Sequence, residues 1–581
     1  MAHLAVRVGS GRSPASRIGG VTTALYVSPT GDDTGIGTIG APFRTLARAR
    51  AEVRTLVATM AADITVYLRG GVYPVTATES WVTADSGLNG FTVVWRNYPG
   101  EIPRLSGGVT ITGWSDQGGG IWRAATSLSF RQMYVNGTRA IRARTPNVGS
   151  YYTLASWNTG AETITMQTGT VASWGNLTQV EAVILGKGVN ECHLRIASRS
   201  GDTITPQATE RTRIFDQVYP PKETRPYFFE NALEFLDQDG EFYLDTVNDF
   251  VYYNPRSGQD MTTAVVYVPQ VERLLSIAGT SGDQIHDLQF YGLYFEHSTY
   301  LTPDTEGHIG DQASTIFLEV LPADEITSYP SGRLPAAVHV EYADDLRFER
   351  NVFRHCGASA LNLYQGVTDA VVIGNVIHDC SGSGISVDLA LLGNTANANI
   401  PCRRVTVSNN YLTQTGQDYY HSVGIMFGYV DEGIIEQNEC TDMPYIGITV
   451  GWGWSYESNT MDTNIVRRNE VWNVCKLMSD SSGIYTLSDQ NGGLIEHNYI
   501  HDIVRNSVAG AFNISDIYLD EGSGDITVQN NVCTGDGDTF VFQNANGSNV
   551  TLSNNDASDP GGVISGAGLT APYADIVSLV E

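Results

Sequence analysis

The C-terminal half of this 581-residue chain holds a set of acids, one histidine and several aromatic rings suited to chemistry on sugars: Asp388, His421, Asp480, Asp489, Asp516, Asp520 and Glu521, beside Tyr429, Trp452, Trp454, Tyr485 and Tyr518. Hydrolysis of a glycosidic bond needs one carboxylic acid to protonate the leaving oxygen and a second carboxylate to activate water or attack, and aromatic rings stack on the apolar faces of a pyranose. Asp520-Glu521-Gly522 directly follows an apolar strand pattern, so one of two adjacent acids can face outward. Asp480 opens the corresponding strand one repeat earlier, within Ser-Asp-Ser-Ser-Gly. A straight strand would place Asp480 up to ~23 Å from the position equivalent to Asp520, at ~3.3 Å per residue. Asp489, two positions from that equivalent, is the easier partner, and both pairings stay open at this point. An Asp in a turn also commonly caps local backbone N–H groups. Each acid therefore has a purely structural alternative.

The elements that must position these residues show as a repeat. An apolar–x–x–Asn pattern places Asn351, Asn375, Asn410, Asn438, Asn469, Asn498, Asn531 and Asn555 at steps of 24, 35, 28, 31, 29, 33 and 24 residues. A second motif follows in phase: Ala360-Leu-Asn-Leu, Gly384-Ile-Ser-Val, Gly424-Ile-Met-Phe, Gly447-Ile-Thr-Val, Gly483-Ile-Tyr-Thr and Asp516-Ile-Tyr-Leu. Short strands with no helix at periods of ~20–50 residues predict a solenoid. Here the expectation is an all-β, right-handed parallel β-helix in which each Asn occupies the left-handed bend and identical side chains one coil apart form a ladder. The signature of a four-stranded propeller blade is absent. Cys356 and Cys380, five residues after their Asn, and Cys440 and Cys533, two after theirs, fit stacked interior positions. No Cys-x-x-Cys pair is present, and neither a metal nor a cofactor is expected.

The same reading divides the chain. Residues 1–23 are a Gly-, Ser- and Arg-containing leader. Residues 24–144 form N-terminal coils with a capping helix that runs from Pro42, at its first turn, to Leu56. Residues 145–265 interrupt the coil pattern as an inserted small β-sandwich-like module. Residues 266–581 carry the main coils and the groove.

Charge restricts the partners. The 34 basic and 63 acidic residues give a net charge of −29, which repels nucleic acid, anionic lipid and polyanionic sugar. No stretch is apolar enough for a membrane span. The expected partner is an oligo- or polysaccharide. Such a substrate points to a secreted or cell-surface protein, although Met1–Gly20 has no apolar core of a signal peptide; a cytoplasmic location stays open.

Several stretches resemble one family. They include Tyr26-Val-Ser-Pro-Thr-Gly-Asp-Asp, Ala41-Pro-Phe-Arg-Thr-Leu, Leu68-Arg-Gly-Gly-Val-Tyr, Arg131-Gln-Met-Tyr-Val-Asn-Gly-Thr-Arg, Glu230-Asn-Ala-Leu-Glu-Phe-Leu-Asp, Gly447-Ile-Thr-Val-Gly-Trp-Gly-Trp, Asp480-Ser-Ser-Gly-Ile-Tyr-Thr and Ile517-Tyr-Leu-Asp-Glu-Gly-Ser. Together, across about residues 25–575, they resemble the β-helical glycoside hydrolases of family 141, which includes fucosidase and xylanase activities on plant cell-wall glycans. By motif match the resemblance implies that Asp480 and Asp520 are the acid pair; as neighbouring charges, Glu521 or Asp489 would tune their pKa values. The implied activity is hydrolysis of a plant or microbial polysaccharide. The alignment of the repeats itself places Trp452, Trp454, His421, Asp388, Tyr485, Tyr518 and Asp516 along the substrate groove. Two alternatives use the same fold. A polysaccharide lyase or epimerase would need a base such as Lys476 or Arg505, and a glycan-binding spike would need no catalyst.

Overall fold

A computed structural model describes residues 23–186, 188–215, 225–317, 331–388, 401–453, 456, 458–534, 540–544, 547–559 and 561–580. The leader thus lies almost entirely outside the described residues. The chain winds into a right-handed parallel β-helix of three long sheets with 13, 10 and 10 strands. Each coil contributes a strand to the first sheet, turns sharply into the second, and crosses a loop into the third before returning.

The asparagines set this geometry. The backbone and side-chain amides of Asn375 both donate to the Asn410 side-chain oxygen at 2.9 Å, and its Nδ2 also donates to the Phe348 carbonyl. The same linkage continues through Asn438, Asn469, Asn498, Asn531 and Asn555. The left-handed bend falls on the residue before each Asn rather than on the Asn itself: Arg350, Gly374, Asn409, Gln437, Arg468, His497, Asn530 and Asn554 all have φ between 53° and 66°. This leaves the Asn amide free to point inward along the stack.

Inward-facing residues form columns along the axis. In the second sheet Ile377, Leu412, Cys440, Val471, Ile500 and Cys533 stand in register, and all are 0% exposed. Cys356 pairs with Cys380 in the same way. All seven cysteines are buried and unbridged. Each buried apolar rung is worth about 1.5–3 kcal/mol, so the columns hold the coils together.

The N-terminal helix is Leu46–Leu56. Pro42 lies before it, and Thr45 is its cap, accepting from the Arg48 N–H at 3.1 Å. It buries Leu46, Ala49 and Val53 against the first coils.

The antiparallel insert extends further than the sequence pattern suggests. Pairing with the insert starts at Gly108–Ile111, which runs against Val266–Pro269, so residues 108–144 are not coils. The segment comprises mainly antiparallel sheets of 4, 5 and 11 strands with cores of their own, the strand Ile141–Arg142 running parallel to Glu241–Asp245. A second excursion from the coils adds His308–Asp311, Thr315–Phe317 and Ser331–Arg333 to the largest of these sheets, with His308–Asp311 pairing onto Glu191–Ser200. At the other end the coils stop at Val550–Ser553. Residues 561–580 fold back over the outside, where Ile576 packs on Val352 and Val376 and Arg350 pairs with Asp575 at 2.9 Å. Among the described residues no helix is long and apolar enough to cross a membrane.

Candidate active site

Two neighbouring strands of the third sheet, Ser481–Thr486 and Ile514–Leu519, run parallel with Ile484 beside Ile517 and Tyr485 beside Tyr518. The alternation of a strand sends the isoleucines into the core and the tyrosines to the opposite face. Asp480 immediately precedes the first strand, in a left-handed conformation with φ 56°. Asp520 immediately follows the second.

The side chains then cross between coils. Tyr518 donates its hydroxyl to Asp480 Oδ1 at 3.1 Å, and Tyr485 donates to Asp520 Oδ2. The rings meet edge to face with centroids 5.0 Å apart. Burial first, and then the negative charge of both aspartates, pushes both phenols well above the ordinary tyrosine range. Each phenol thus senses both carboxylates, although the two acids stand at opposite ends of their strands. The reach that a straight strand denies the backbone is supplied by the two tyrosines.

Asn544, one coil on, donates to Asp520 Oδ1 at 2.8 Å. Tyr445, one coil back, donates to the Asp480 carbonyl at 3.1 Å. Asp520 is 5% exposed, whereas Asp480 is half-buried, so the pair meets solvent on the Asp480 side. Asn544 was legible in principle: it is the next member, after Asp520, of the column that begins at Asp388. Tyr445 carries no comparable mark, because it acts through its neighbour's backbone.

Comparison with known proteins fits this architecture. The family model for the "GH141 insertion domain" matches residues 122–256. A solved structure titled "Glycoside hydrolase" superposes with a TM-score of 0.89 at 28% identity, covering 95% of this chain and 100% of that one. The chain is similar to the glycoside hydrolases of family 141 and shares their parallel β-helix. It also shares 40% identity over 83 residues with the "Uncharacterized protein YwoF" of Bacillus subtilis (strain 168), a match that covers 14% of this chain and 15% of that protein.

In this family 141-like protein the other expected site residues are spread more widely. Asp388 lies in the same column as Asp520 but four coils away, roughly 19 Å at ~4.8 Å per coil. It is 3% exposed, and burial raises its carboxyl to about 7. Asp516 is fully buried, and its charge bears on the interior thiols of Cys475 and Cys533, so it is an inner rather than a groove residue. Asp489 pairs in register with Gly524, and burial and Asp525 raise its carboxyl; it faces Asp525 rather than the tyrosine pair. Glu521 is half-buried, and its backbone carbonyl accepts from Ser488 at 3.1 Å.

His421 shares the phase of Asp480 but is completely buried beneath the insert, in contact with His308 at 3.1 Å. Trp452 is 7% exposed, and the Arg333 guanidinium lies 4.5 Å from its ring centre, so on that side the ring supports an arginine rather than a sugar. Trp454 lies outside the described residues.

The insert and second excursion add residues that no repeat announces. Burial lowers the Arg333 guanidinium to about 9, and its Nη1 donates to the Ala313 carbonyl at 2.5 Å. The tip of the inserted hairpin reaches the coil of Asp480, where the Gly188 carbonyl accepts from Ser479 N–H at 3.1 Å. The two basic residues named for a lyase are engaged elsewhere: Lys476 pairs with Asp442, and Arg505 donates to the Ile514 carbonyl.

Proposed function

We propose that this family 141-like protein hydrolyses a glycosidic bond in a plant or microbial polysaccharide, fucosidase- or xylanase-like in substrate class, with Asp480 and Asp520 as its acid pair. The observation that carries this reading is the crossed contact of Tyr518 with Asp480 and of Tyr485 with Asp520, which ties two carboxylates from neighbouring coils to one pair of rings. One carboxyl protonates the leaving oxygen while the other activates water or attacks the anomeric carbon. The tyrosines hold both groups in orientation, and Glu521 adds negative charge beside Asp520. Substrate enters on the half-buried Asp480 side, below the inserted hairpin, where Arg333, held by the Ala313 carbonyl, braces Trp452. A polysaccharide substrate implies a secreted or cell-surface protein.

Elimination on a uronate would require a base beside the acids. That Lys476 and Arg505 are committed to other partners supports hydrolysis over a lyase or epimerase reaction.

The test is incubation with a panel of fucosylated and xylan-type glycans, following new reducing ends and the absorbance of unsaturated uronates. Reducing ends should appear without absorbance, and Asp480→Asn and Asp520→Asn should each lose ~10²–10⁴ in turnover with unchanged thermal unfolding. Growth of absorbance would identify a lyase. Absence of new ends from every glycan, or full turnover in either variant, would overturn the assignment.

A further inference from the structure

Three side chains from distant parts of the chain converge where the insert rests on the coils. Glu191 comes from an inserted strand, His308 from the second excursion, and His421 from the loop leading into the third-sheet strand Ile425–Phe427. They are 0%, 2% and 0% exposed. We propose that Glu191, His308 and His421 bind a divalent transition-metal cation of the zinc type, which fastens the inserted module to the β-helix.

The geometry is that of a ligand set. His308 Nε2 and His421 Nε2 are 3.1 Å apart, and Glu191 Oε1 lies 3.6 Å from the first and 3.8 Å from the second. A point equidistant from three atoms so spaced is about 2.0 Å from each, the length of zinc–imidazole and zinc–carboxylate bonds. Nitrogen and oxygen donors of this kind suit zinc better than calcium or magnesium, which prefer shells of oxygen.

Outer contacts orient two of the three donors inward, while His308 Nδ1 has no hydrogen-bond partner among the described residues. His421 Nδ1 bonds the Asp311 carbonyl, so this nitrogen carries the proton and Nε2 presents a lone pair; a second partner of this kind is what metal-bound histidines usually have. Glu191 Oε2 accepts from the Tyr420 N–H at 2.8 Å. Its Oε1 is buried with no hydrogen-bond partner among the described residues. A proton shared between the two imidazoles would satisfy that pair and still leave Oε1 bare, whereas a cation satisfies all three atoms.

Two comparisons sharpen the point. Glu181, His193 and Glu230 also cluster, but Arg131 and Arg142 already neutralise those glutamates at 2.7–3.3 Å. The ion-pair neighbours of Glu191 among the described residues are only histidines: His193, His308 and His421. Residue 310 must also be small. A Cβ there would lie 2.5 Å from His421 Nε2 and 2.8 Å from His308 Nε2, so Gly310 keeps the space between the donors clear. His193 Nε2, 3.6 Å from Glu191 Oε1 and without a hydrogen-bond partner among the described residues, is placed to approach a fourth position.

The test uses the untagged full chain, expressed with zinc supplementation and passed over a chelating resin. Elemental analysis should find about one zinc per chain. X-ray absorption at the zinc edge should show two imidazoles and further light-atom ligands at about 2.0–2.1 Å, with no sulfur. Glu191→Gln keeps the shape but weakens the donor set, and Gly310→Ala fills the space without touching a ligand; each should lower zinc affinity at least about 10-fold. Should either variant fail to fold, the stoichiometry and absorption spectrum of the native chain decide. Native protein with under about 0.1 zinc per chain, a sulfur-containing shell, or a folded Glu191→Gln whose zinc affinity equals that of the native chain would overturn the proposal.

Discussion

Tyr485 and Asp520 belong to successive coils, and the phenol of the first donates to the carboxylate of the second. Tyr518 makes the reciprocal link back to Asp480. A hydrogen bond to a charged group is worth about 1.5–3 kcal/mol, which is about 10–100-fold in rate if the bond is needed in the transition state. Tyr485→Phe and Tyr518→Phe should therefore each lower kcat by about 10–100-fold while leaving the unfolding temperature nearly unchanged, since the rings still pack against each other. Because the rings share one contact, the double variant should lose less than the product of the single losses. Full kcat in both single variants would separate the tyrosines from the acid pair.

The coils and much of this pair were legible in the sequence because both rest on columns. Each Asn serves as donor and acceptor to its neighbours one coil away, so its identity must recur, and its spacing reveals the period. The tyrosines are visible for the same reason: Gly483-Ile-Tyr-Thr and Asp516-Ile-Tyr-Leu align, and alternation puts both rings on one face. The left-handed bend sits one residue before the ladder Asn, on Arg350, Gly374, Gln437, Arg468 and His497 as well as on Asn409, Asn530 and Asn554, so no single residue type marks it. Asp388 and His421 were placed by phase, and phase fixes a column without saying which coil of it matters. The start of the insert at Gly108 and the pairing of His193 with His308 depend on strands more than 100 residues apart, which no local period can announce.

Arg333 offers a way to separate binding from chemistry. Its buried guanidinium is held over Trp452 by the second excursion, about two coils from Asp520, so it braces the wall that faces a sugar residue other than the one being cleaved. Arg333→Met keeps most of the volume over the ring and removes the hold on the Ala313 carbonyl. The expected result is a KM raised about 10-fold or more with kcat changed less than about 3-fold, the mark of lost uniform binding. An equal fall in kcat and kcat/KM would instead place that wall at the reacting sugar.

The asparagine ladder predicts a gradient of stability. Asn438 accepts from both amides of Asn410 and donates to Asn469 and the Val407 carbonyl, all in the buried interior. Asn438→Ala strands several of these groups, at about 1–3 kcal/mol for each one left unpaired. Asn555, the last rung, is only partly buried and bonds a single neighbouring Asn. Thermal unfolding of Asn438→Ala should fall several degrees below that of Asn555→Ala. Equal effects would show that the ladder does not share its load along the axis.

Asp388 gives the fold a pH dependence of definite sign. Burial raises its carboxyl from an ordinary 3.8 to about 7, despite one hydrogen bond from the Cys402 N–H. Between these two values the folded protein holds a proton that the unfolded chain releases, so stability falls as pH rises from about 4 to about 7. The proton is fully retained in both states below this window and lost from both above it. The difference of about three pH units corresponds to about 4 kcal/mol in all. Asp388→Asn has no proton to lose, and asparagine tolerates the left-handed backbone found there, φ 57°. Thermal unfolding should therefore coincide for the two proteins near pH 4 and diverge as pH rises, with the variant the more stable at pH 8. Parallel curves across that range would mean that Asp388 is as ionised in the folded protein as in the unfolded chain.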